Sequence, residues 1–285
     1  FPFLRYNKFC EIGADNPAIF ESRRRDAFML KLTDKVAIIT GGNSGIGEAA
    51  AKLFAKQGAA VVLVARRADK LTAVADEIAA AGGKALAIPA DVTDPATAVK
   101  VCEETVKQFG KIDILVNSAG EGDYTRPITG VTDEFFDHIV KVDQYAVFYM
   151  CREVVKYMQS AHSGSIVNIS SVGGVFHNSG FAYAAAKSAV IGMTRNMAMQ
   201  FAAEGIRVNA VCPGGTKTPM IEAMNDPDQM LPCDKEFARI TGRHFNTKLP
   251  MCTAEEQANA ILFLASDEAS GITGQYLVVD HGGWI

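Results

Sequence analysis

The sequence is short of several things at once, and each shortage narrows what the chain can do. Lys and Arg number 28 against 32 Asp and Glu, leaving a formal charge of −4 over 285 residues. That balance offers no broad positive face, which argues against nucleic acid or an anionic membrane as the main partner. The one basic cluster, Arg23, Arg24 and Arg25, sits between Glu21 and Asp26 and reads as solvated surface. Six cysteines (Cys10, Cys102, Cys151, Cys212, Cys233 and Cys252) are scattered, with no CxxC pair and no His spacing that suggests zinc. No metal site is expected, and a reducing, cytoplasmic setting is. No apolar run approaches bilayer length; the longest compact one, 59–65, suits a buried strand. Residues 1–30 mix charges of both signs without a continuous apolar stretch, so they read as an extension of unknown role rather than a signal peptide.

What is present is ample core material: 48% hydrophobic and 21% charged residues. From Lys35 onward, short β-branched runs alternate with Ala-rich stretches of helical spacing. The strand candidates are 36–40, 60–64, 85–88, 112–116, 165–170, 206–211 and 276–279; the helix candidates are 45–57, 68–81, 95–109, 132–160, 181–204 and 254–265. The strands are continuously apolar, as a parallel sheet covered on both faces requires. Strict β-α alternation of this kind predicts an α/β fold: a Rossmann-type doubly wound parallel sheet of about seven strands, helices on both faces. No Gly/Ser/Pro-rich linker interrupts it, so residues 31–285 read as a single domain. Segment 216–248 is long for a connection and carries Met220, Ile221, Met224, Met230, Leu231, Phe237, Ile240 and Phe245. Beyond a strand's carboxyl end such an insertion reads as a substrate lid, with a packed helical pair of no ligand role as the alternative.

The first strand runs into Thr40-Gly41-Gly42-Asn43-Ser44-Gly45-Ile46-Gly47 and then an Ala-rich helix. Gly41 lets the chain turn off the strand, Gly45 removes bulk where a diphosphate approaches, and Gly47 lets the helix pack close to the sheet. A diphosphate would rest on the free amides of the helix N-terminus. Later in the chain come Ala90-Asp91-Val92, Asn117-Ser118-Ala119-Gly120, Tyr183-Ala184-Ala185-Ala186-Lys187, and Pro213-Gly214 followed by Thr216 and Thr218.

These motifs, in this order over residues 33–283, resemble the short-chain dehydrogenase/reductase family, with its TGxxxGxG turn, NNAG, YxxxK and PGxxxT. The resemblance implies an NAD(P)-dependent oxidoreductase moving a hydride between nicotinamide and a ketone or secondary alcohol. It assigns cofactor contacts to Gly41, Asn43, Ser44, Gly45, Ile46, Gly47, Asp91, Val92, Asn117, Ala119, Gly120, Pro213, Gly214, Thr216 and Thr218. Asp91 would contact the adenine, and Lys187 would hold the nicotinamide ribose while tuning Tyr183.

Tyr183 and Lys187 are four apart on one helix and so share a face. An adjacent ammonium stabilises phenolate, which is expected to lower the Tyr183 pKa toward working pH and make it the general acid/base. A hydroxyl must also hold the substrate oxygen. Counting back thirteen from the tyrosine, the family interval gives Ser170, whereas aligning Ser171-Val172-Gly173-Gly174 from the strand gives Ser171; Ser171 is chosen because loops absorb deletions more readily than strands shift register. The fourth family position, normally Asn, is Asp143 here. Asp accepts the same hydrogen bonds but cannot donate, and if close to Lys187 it would raise the lysine's pKa. That departure is the one feature supporting the alternative, a catalytically impaired nucleotide-sensing protein of the same fold.

At the end of the second strand, where an acid would select NAD(H), the chain has Ala65 followed by Arg66 and Arg67. The missing carboxylate and available guanidinium favour NADP(H), with NAD(H) also usable. Family resemblance further implies a homotetramer or homodimer formed through helices near 132–160 and 181–204 and the last strand. The Met- and Phe-rich insertion, with Val175, Phe176 and Phe181 near the serine, suggests an apolar or alicyclic small-molecule substrate. The ending Val279-Asp280-His281-Gly282-Gly283 resembles the family's VDGG with His281 inserted, an exposed or interfacial histidine with no catalytic role expected.

Overall fold

A computed structural model describes residues 30–224 and 235–284. Seven parallel strands form one sheet: β1 Val36–Thr40, β2 Ala60–Ala65, β3 Lys84–Pro89, β4 Ile114–Asn117, β5 Gly164–Ile169, β6 Ile206–Pro213 and β7 Tyr276–Val279. Their spatial order is β3-β2-β1-β4-β5-β6-β7. The order reverses between β1 and β4, so connections leave in opposite directions and open a crevice at the strands' carboxyl ends.

The alternation of side chains along each strand builds two cores, one on either face. Ile39, Leu63, Val167 and Val211 pack with Ala50 and Phe54 of α1 (Gly45–Lys56) and with Ile261 and Leu264 of α10 (Ala254–Ala265). Ile38, Val62, Leu115 and Ile166 face the other way, onto Val101 of α3 (Pro95–Phe109), Met150 and Val154 of α5 (Ala146–Ala161), and Val190 of α7 (Phe181–Phe201). Helix α2 (Ala68–Ala80) covers the β2–β3 edge through Leu71, Val74 and Ile78. Local signals set the helix ends: Asp94 caps α3 by accepting from the Ala96 amide, Pro95 follows it, and Gly110 closes the helix in the left-handed region at φ 81°.

The predicted helix 132–160 is interrupted. Helix α4 (Asp133–Val140) passes through a π-turn, Lys141–Tyr145, before α5 begins. Asp143 lies inside that turn and is fully buried. Two short helices occupy the 216–248 insertion, α8 (Pro219–Met224) and α9 (Lys235–Thr241), as the helical-pair alternative expected of its local structure, and α6 (Val172–Phe176) follows β5. Met230, Leu231 and the extension before Leu30, with its arginine cluster, lie outside the described residues.

Candidate active site

A cleft of about 700 Å³ opens at the carboxyl ends of the strands. One wall is the glycine turn. Gly41 takes φ 69° and Gly45 φ 58°, both left-handed. A Cβ on Gly47 would stand 2.3 Å from the Gly41 carbonyl oxygen, so glycine there is required by the turn itself and not only by helix–sheet packing. Ser44, the residue before α1, makes no side-chain cap, which leaves the first-turn amides available to an anion. Arg67 reaches over this turn. Its guanidinium donates to Ser44 Oγ at 3.3 Å, and to Asn43 Oδ1 through Nε and Nη2 at 3.0 Å with the Asn43 amide oriented to satisfy those bonds.

Across the cleft, the first two turns of α7 carry Tyr183 and Lys187. The Lys187 ammonium is buried 2.9 Å from Asp143 Oδ1, donates to the Ile169 carbonyl at 3.2 Å, and lies 5.5 Å from the centre of the Tyr183 ring. Asp143 also accepts from the Glu121 amide at 3.2 Å. Burial works to lower the Lys187 pKa, but Asp143 and Tyr183 together outweigh it and hold the ammonium above the ordinary lysine range. Burial raises the Asp143 carboxyl above its usual range, opposed by Lys187. Tyr183 is raised above 10: burial is the largest cause, the lysine pulls down, Asp143 pushes up, and a hydrogen bond with the Ser171 side chain pulls down. The Tyr183 pKa is therefore raised rather than lowered as expected. Burial outweighs the lysine, and Asp143 offsets part of the lysine's charge.

The start of α7 is held by Asp123, whose buried carboxylate accepts from the Tyr183 amide at 2.9 Å and the Thr125 amide at 3.2 Å. A Cβ on Gly180 would stand 2.1 Å from that carboxylate, so glycine is needed for the approach.

A family model described as enoyl-(acyl carrier protein) reductase matches residues 41–283. An A-factor type gamma-butyrolactone 1′-reductase (1S-forming) of Streptomyces virginiae is 40% identical, the alignment spanning 88% of this chain and 96% of that protein. A short-chain type dehydrogenase/reductase of Mycobacterium marinum, solved as a crystal structure, is 32% identical, covering 89% and 97% of the two chains with a TM-score of 0.78. The chain belongs to the short-chain dehydrogenase/reductase family. It is an NAD(P)-dependent oxidoreductase that transfers a hydride between nicotinamide and a carbonyl or alcohol carbon. A 7α-hydroxysteroid dehydrogenase complexed with NADH and 7-oxo glycochenodeoxycholic acid is also similar, at 32% identity, 90% and 96% coverage and a TM-score of 0.79. Nothing in these relatives favours the impaired, sensing alternative.

Most of the residues that the sequence marks in this short-chain dehydrogenase/reductase meet at the cleft. Gly41, Asn43, Ser44, Gly45, Ile46, Arg66, Arg67, Asp91, Val92, Ala119, Gly120, Ser171, Tyr183, Lys187, Pro213, Gly214, Thr216 and Thr218 all line it. Asn117, Gly47 and Asp143 do not. Asn117 is buried behind the wall, donating to Asn168 Oδ1 at 2.9 Å and to Cys151 Sγ at 3.3 Å, which makes it a strand-to-strand tie. Asp143 reaches the site only through Lys187. Both serines line the cleft: Ser170 Oγ donates to the Lys187 backbone carbonyl at 2.7 Å, while Ser171 Oγ accepts from the Gly173 amide at 3.0 Å and stands on the Tyr183 side, where it lowers the tyrosine's pKa slightly.

Val175, Phe176 and Phe181 do not line the cleft; Phe176 is 38% and Phe181 41% exposed. The turn of α6 carries Phe176 outward, and Phe181 leans on Phe136 instead. The apolar wall comes from Val172, Met220, Ile221, Phe245 and Trp284. Phe245 and Trp284 pack against each other, ring centres 5.2 Å apart and planes tilted by 39°. Trp284, Asn178, Ser179 and Asp123 escaped the sequence reading because none belongs to a motif; only the scarcity of Trp offered a signal for Trp284. Asn178 Oδ1 and Ser179 Oγ are buried at the cleft without a hydrogen-bonding protein partner. The uncapped amides, the left-handed glycines and the absence of any carboxylate at residue 65 all fit an NAD(P) dinucleotide.

No described helix is long and apolar enough to cross a membrane.

Proposed function

We propose that this protein is an NADP(H)-preferring reductase of an apolar or alicyclic ketone, able to use NAD(H), and running the reverse alcohol oxidation at higher pH. The observation that carries this reading is the convergence of Tyr183, Lys187 and Ser171 on one cleft bounded by the glycine turn. The dinucleotide would be held by Gly41, Asn43, Ser44, Gly45 and Ile46, by Asp91 and Val92 at the adenine end, and by Ala119, Gly120, Pro213, Gly214, Thr216 and Thr218. Arg66 and Arg67 would take the 2′-phosphate. When bound, the nicotinamide supplies or accepts the hydride.

Tyr183 holds the proton that the developing alkoxide needs, and Ser171 orients the carbonyl oxygen beside it. Burial raises the Tyr183 pKa above the ordinary phenol value, opposed by Lys187, so the phenolate needed for alcohol oxidation is the costlier form. Lys187 has three donors; two are engaged by Asp143 and Ile169, and the third remains for a ribose hydroxyl. Asp143 is thus a positioning residue that locks the lysine. Met220, Ile221, Phe245 and Trp284 supply an apolar wall from the lid side, and the unpartnered Asn178 and Ser179 oxygens offer the substrate one polar anchor. The 7-oxo steroid of the solved relative supports an alicyclic ketone.

Exposed aromatic and apolar residues on the π-turn (Tyr145), α5 (Phe148), α7 (Met199) and β7 (Tyr276, Leu277) support a homotetramer or homodimer. Free buried cysteines (Cys102, Cys151, Cys212 and Cys252) support a cytoplasmic location. The test is a panel of cyclic, steroid and acyl-thioester ketones with NADPH or NADH, read by loss of reduced-nicotinamide absorbance. Turnover of an alicyclic member, faster with NADPH, is expected. Tight cofactor binding with no turnover in either direction would overturn the reading.

A further inference from the structure

A second constellation lies away from the proposed chemistry, where the turn after β7 meets the N-terminus of α10. Cys252 Sγ, a Glu256 carboxylate oxygen and a His281 ring nitrogen all lie within 4.8 Å of one another. His281 Nε2 is 3.0 Å from Glu256 Oε1. We propose that these three side chains form a binding site for one zinc-class divalent cation, with water as the fourth ligand.

The donor set is thiolate, imidazole and carboxylate, which suits zinc and is unsuited to magnesium or calcium. In a tetrahedral zinc site the edges between such donors are about 3.3–3.6 Å. The observed nitrogen–oxygen separation is already near that, and the sulfur needs to close by no more than about an ångström and a half. With the thiol ionised and the imidazole neutral, two negative ligands offset the ion's charge. Cys252 is 1% exposed, whereas the His281 and Glu256 side chains are 32% and 43% exposed. Solvent can therefore deliver the ion and supply the fourth ligand.

Each ligand is also aimed by a bond that does not involve its neighbours in the set, as metal ligands commonly are. Glu256 divides its carboxylate: Oε2 accepts from the Thr253 amide at 2.8 Å in the capping box of α10, leaving Oε1 for the ion. His281 Nδ1 sits 3.2 Å from the Pro250 carbonyl, which fixes that nitrogen as donor and turns Nε2 toward the cluster. The backbone of Cys252 is pinned on both sides, its amide donating to the Gly215 carbonyl and its carbonyl accepting from the Lys217 amide, each at 2.9 Å. His281 takes φ 57°, a left-handed conformation unfavourable for a residue with a Cβ. The strain is explained if the imidazole has a task that glycine cannot perform.

An ion here would clamp the turn Asp280–Trp284 onto the base of the lid. Trp284 lines the cleft, so the site would steady one wall of the pocket without touching the reacting atoms. The ligands fall at 252, 256 and 281, a spacing that no local pattern reveals. The competing arrangement is the His281–Glu256 ion pair alone, with Cys252 donating weakly to the Val279 carbonyl at 3.6 Å.

The test is titration of chelator-treated full-length protein with zinc chloride by calorimetry, and with cobalt(II) for a thiolate-to-metal charge-transfer band. One ion per chain is expected. His281→Ala and Glu256→Gln should weaken binding about 100-fold or more, since even outer-shell losses cost 10–100-fold. Cys252→Ser should abolish the cobalt band. Glu256→Gln preserves the capping box, so it carries the test if the buried Cys252 variant fails to fold. Absence of saturable one-to-one binding, or binding unchanged in His281→Ala and Glu256→Gln, would overturn the site.

Discussion

Replacing Asp143 by Asn probes the arrangement most sharply, because it removes one charge and almost no volume. The carboxylate stands 2.9 Å from the Lys187 ammonium, which is 5.5 Å from the Tyr183 ring centre. Asp143 therefore lies within roughly 8 Å of that ring, where unit charges at an effective dielectric near 20 interact by about 2 kcal/mol, or roughly 1.5 pKa units. The sign follows from the chemistry. A nearby anion disfavours phenolate, so its removal lowers the Tyr183 pKa, and alcohol oxidation, which needs the phenolate as base, becomes possible at lower pH. The pH profile of kcat/KM for oxidation reports the free enzyme. Its rising limb should move down by about one unit in Asp143→Asn, in line with part of that interaction being lost to solvent screening. The variant should also be less stable, by up to about 3–5 kcal/mol, because Lys187 stays buried with a neutral partner. A limb that stays in place or moves upward would refute the idea that Asp143 sets the proton affinity of Tyr183.

Other consequences are simpler to read. Arg67→Ala should raise KM for NADPH by about tenfold or more while changing KM for NADH little, since a charge-assisted hydrogen bond is worth about 1.5–3 kcal/mol; initial rates with both cofactors decide it. Ser171→Ala should lower kcat by about 10²-fold, as the loss of a group positioning the reacting oxygen does. Ser170→Ala should instead act through stability, by about 1 kcal/mol, because its hydroxyl bonds the Lys187 backbone carbonyl. Gly47→Ala should abolish cofactor binding or folding, because an added methyl would stand 2.3 Å from the Gly41 oxygen.

The fold was legible because its signals are redundant. Seven apolar runs between Ala-rich helices leave little choice but a doubly wound sheet, and the strand boundaries shift by two residues at most, as where β4 starts at Ile114 rather than 112. Motif residues were legible for the same reason: each glycine of the turn is demanded by a left-handed φ or a close approach. What escaped depends on tertiary placement. The π-turn at Lys141–Tyr145 follows no composition rule, and Asp143 within it pairs with buried Lys187; the raised Tyr183 pKa comes first from burial, which only the folded cleft reveals, with Asp143 adding to it. Phe176 and Phe181 sit close to Ser171 and Tyr183 in sequence but do not line the cleft, whereas Phe245 and Trp284, far along the chain, do. Nearness in sequence was a poor guide to the pocket because the segments that carry Phe245 and Trp284 reach it only after β6 and β7.

The claim on which the account rests is that the Tyr183 hydroxyl carries the proton of the reaction. Tyr183→Phe keeps the ring and removes only that oxygen. Measured side by side, cofactor binding by quenching or enhancement of nucleotide fluorescence should be little changed, while ketone-dependent oxidation of NADPH falls by about 10²–10⁴-fold, the span general acid catalysis contributes. Turnover within a few fold of the unaltered protein, with the cofactor still bound, would contradict it.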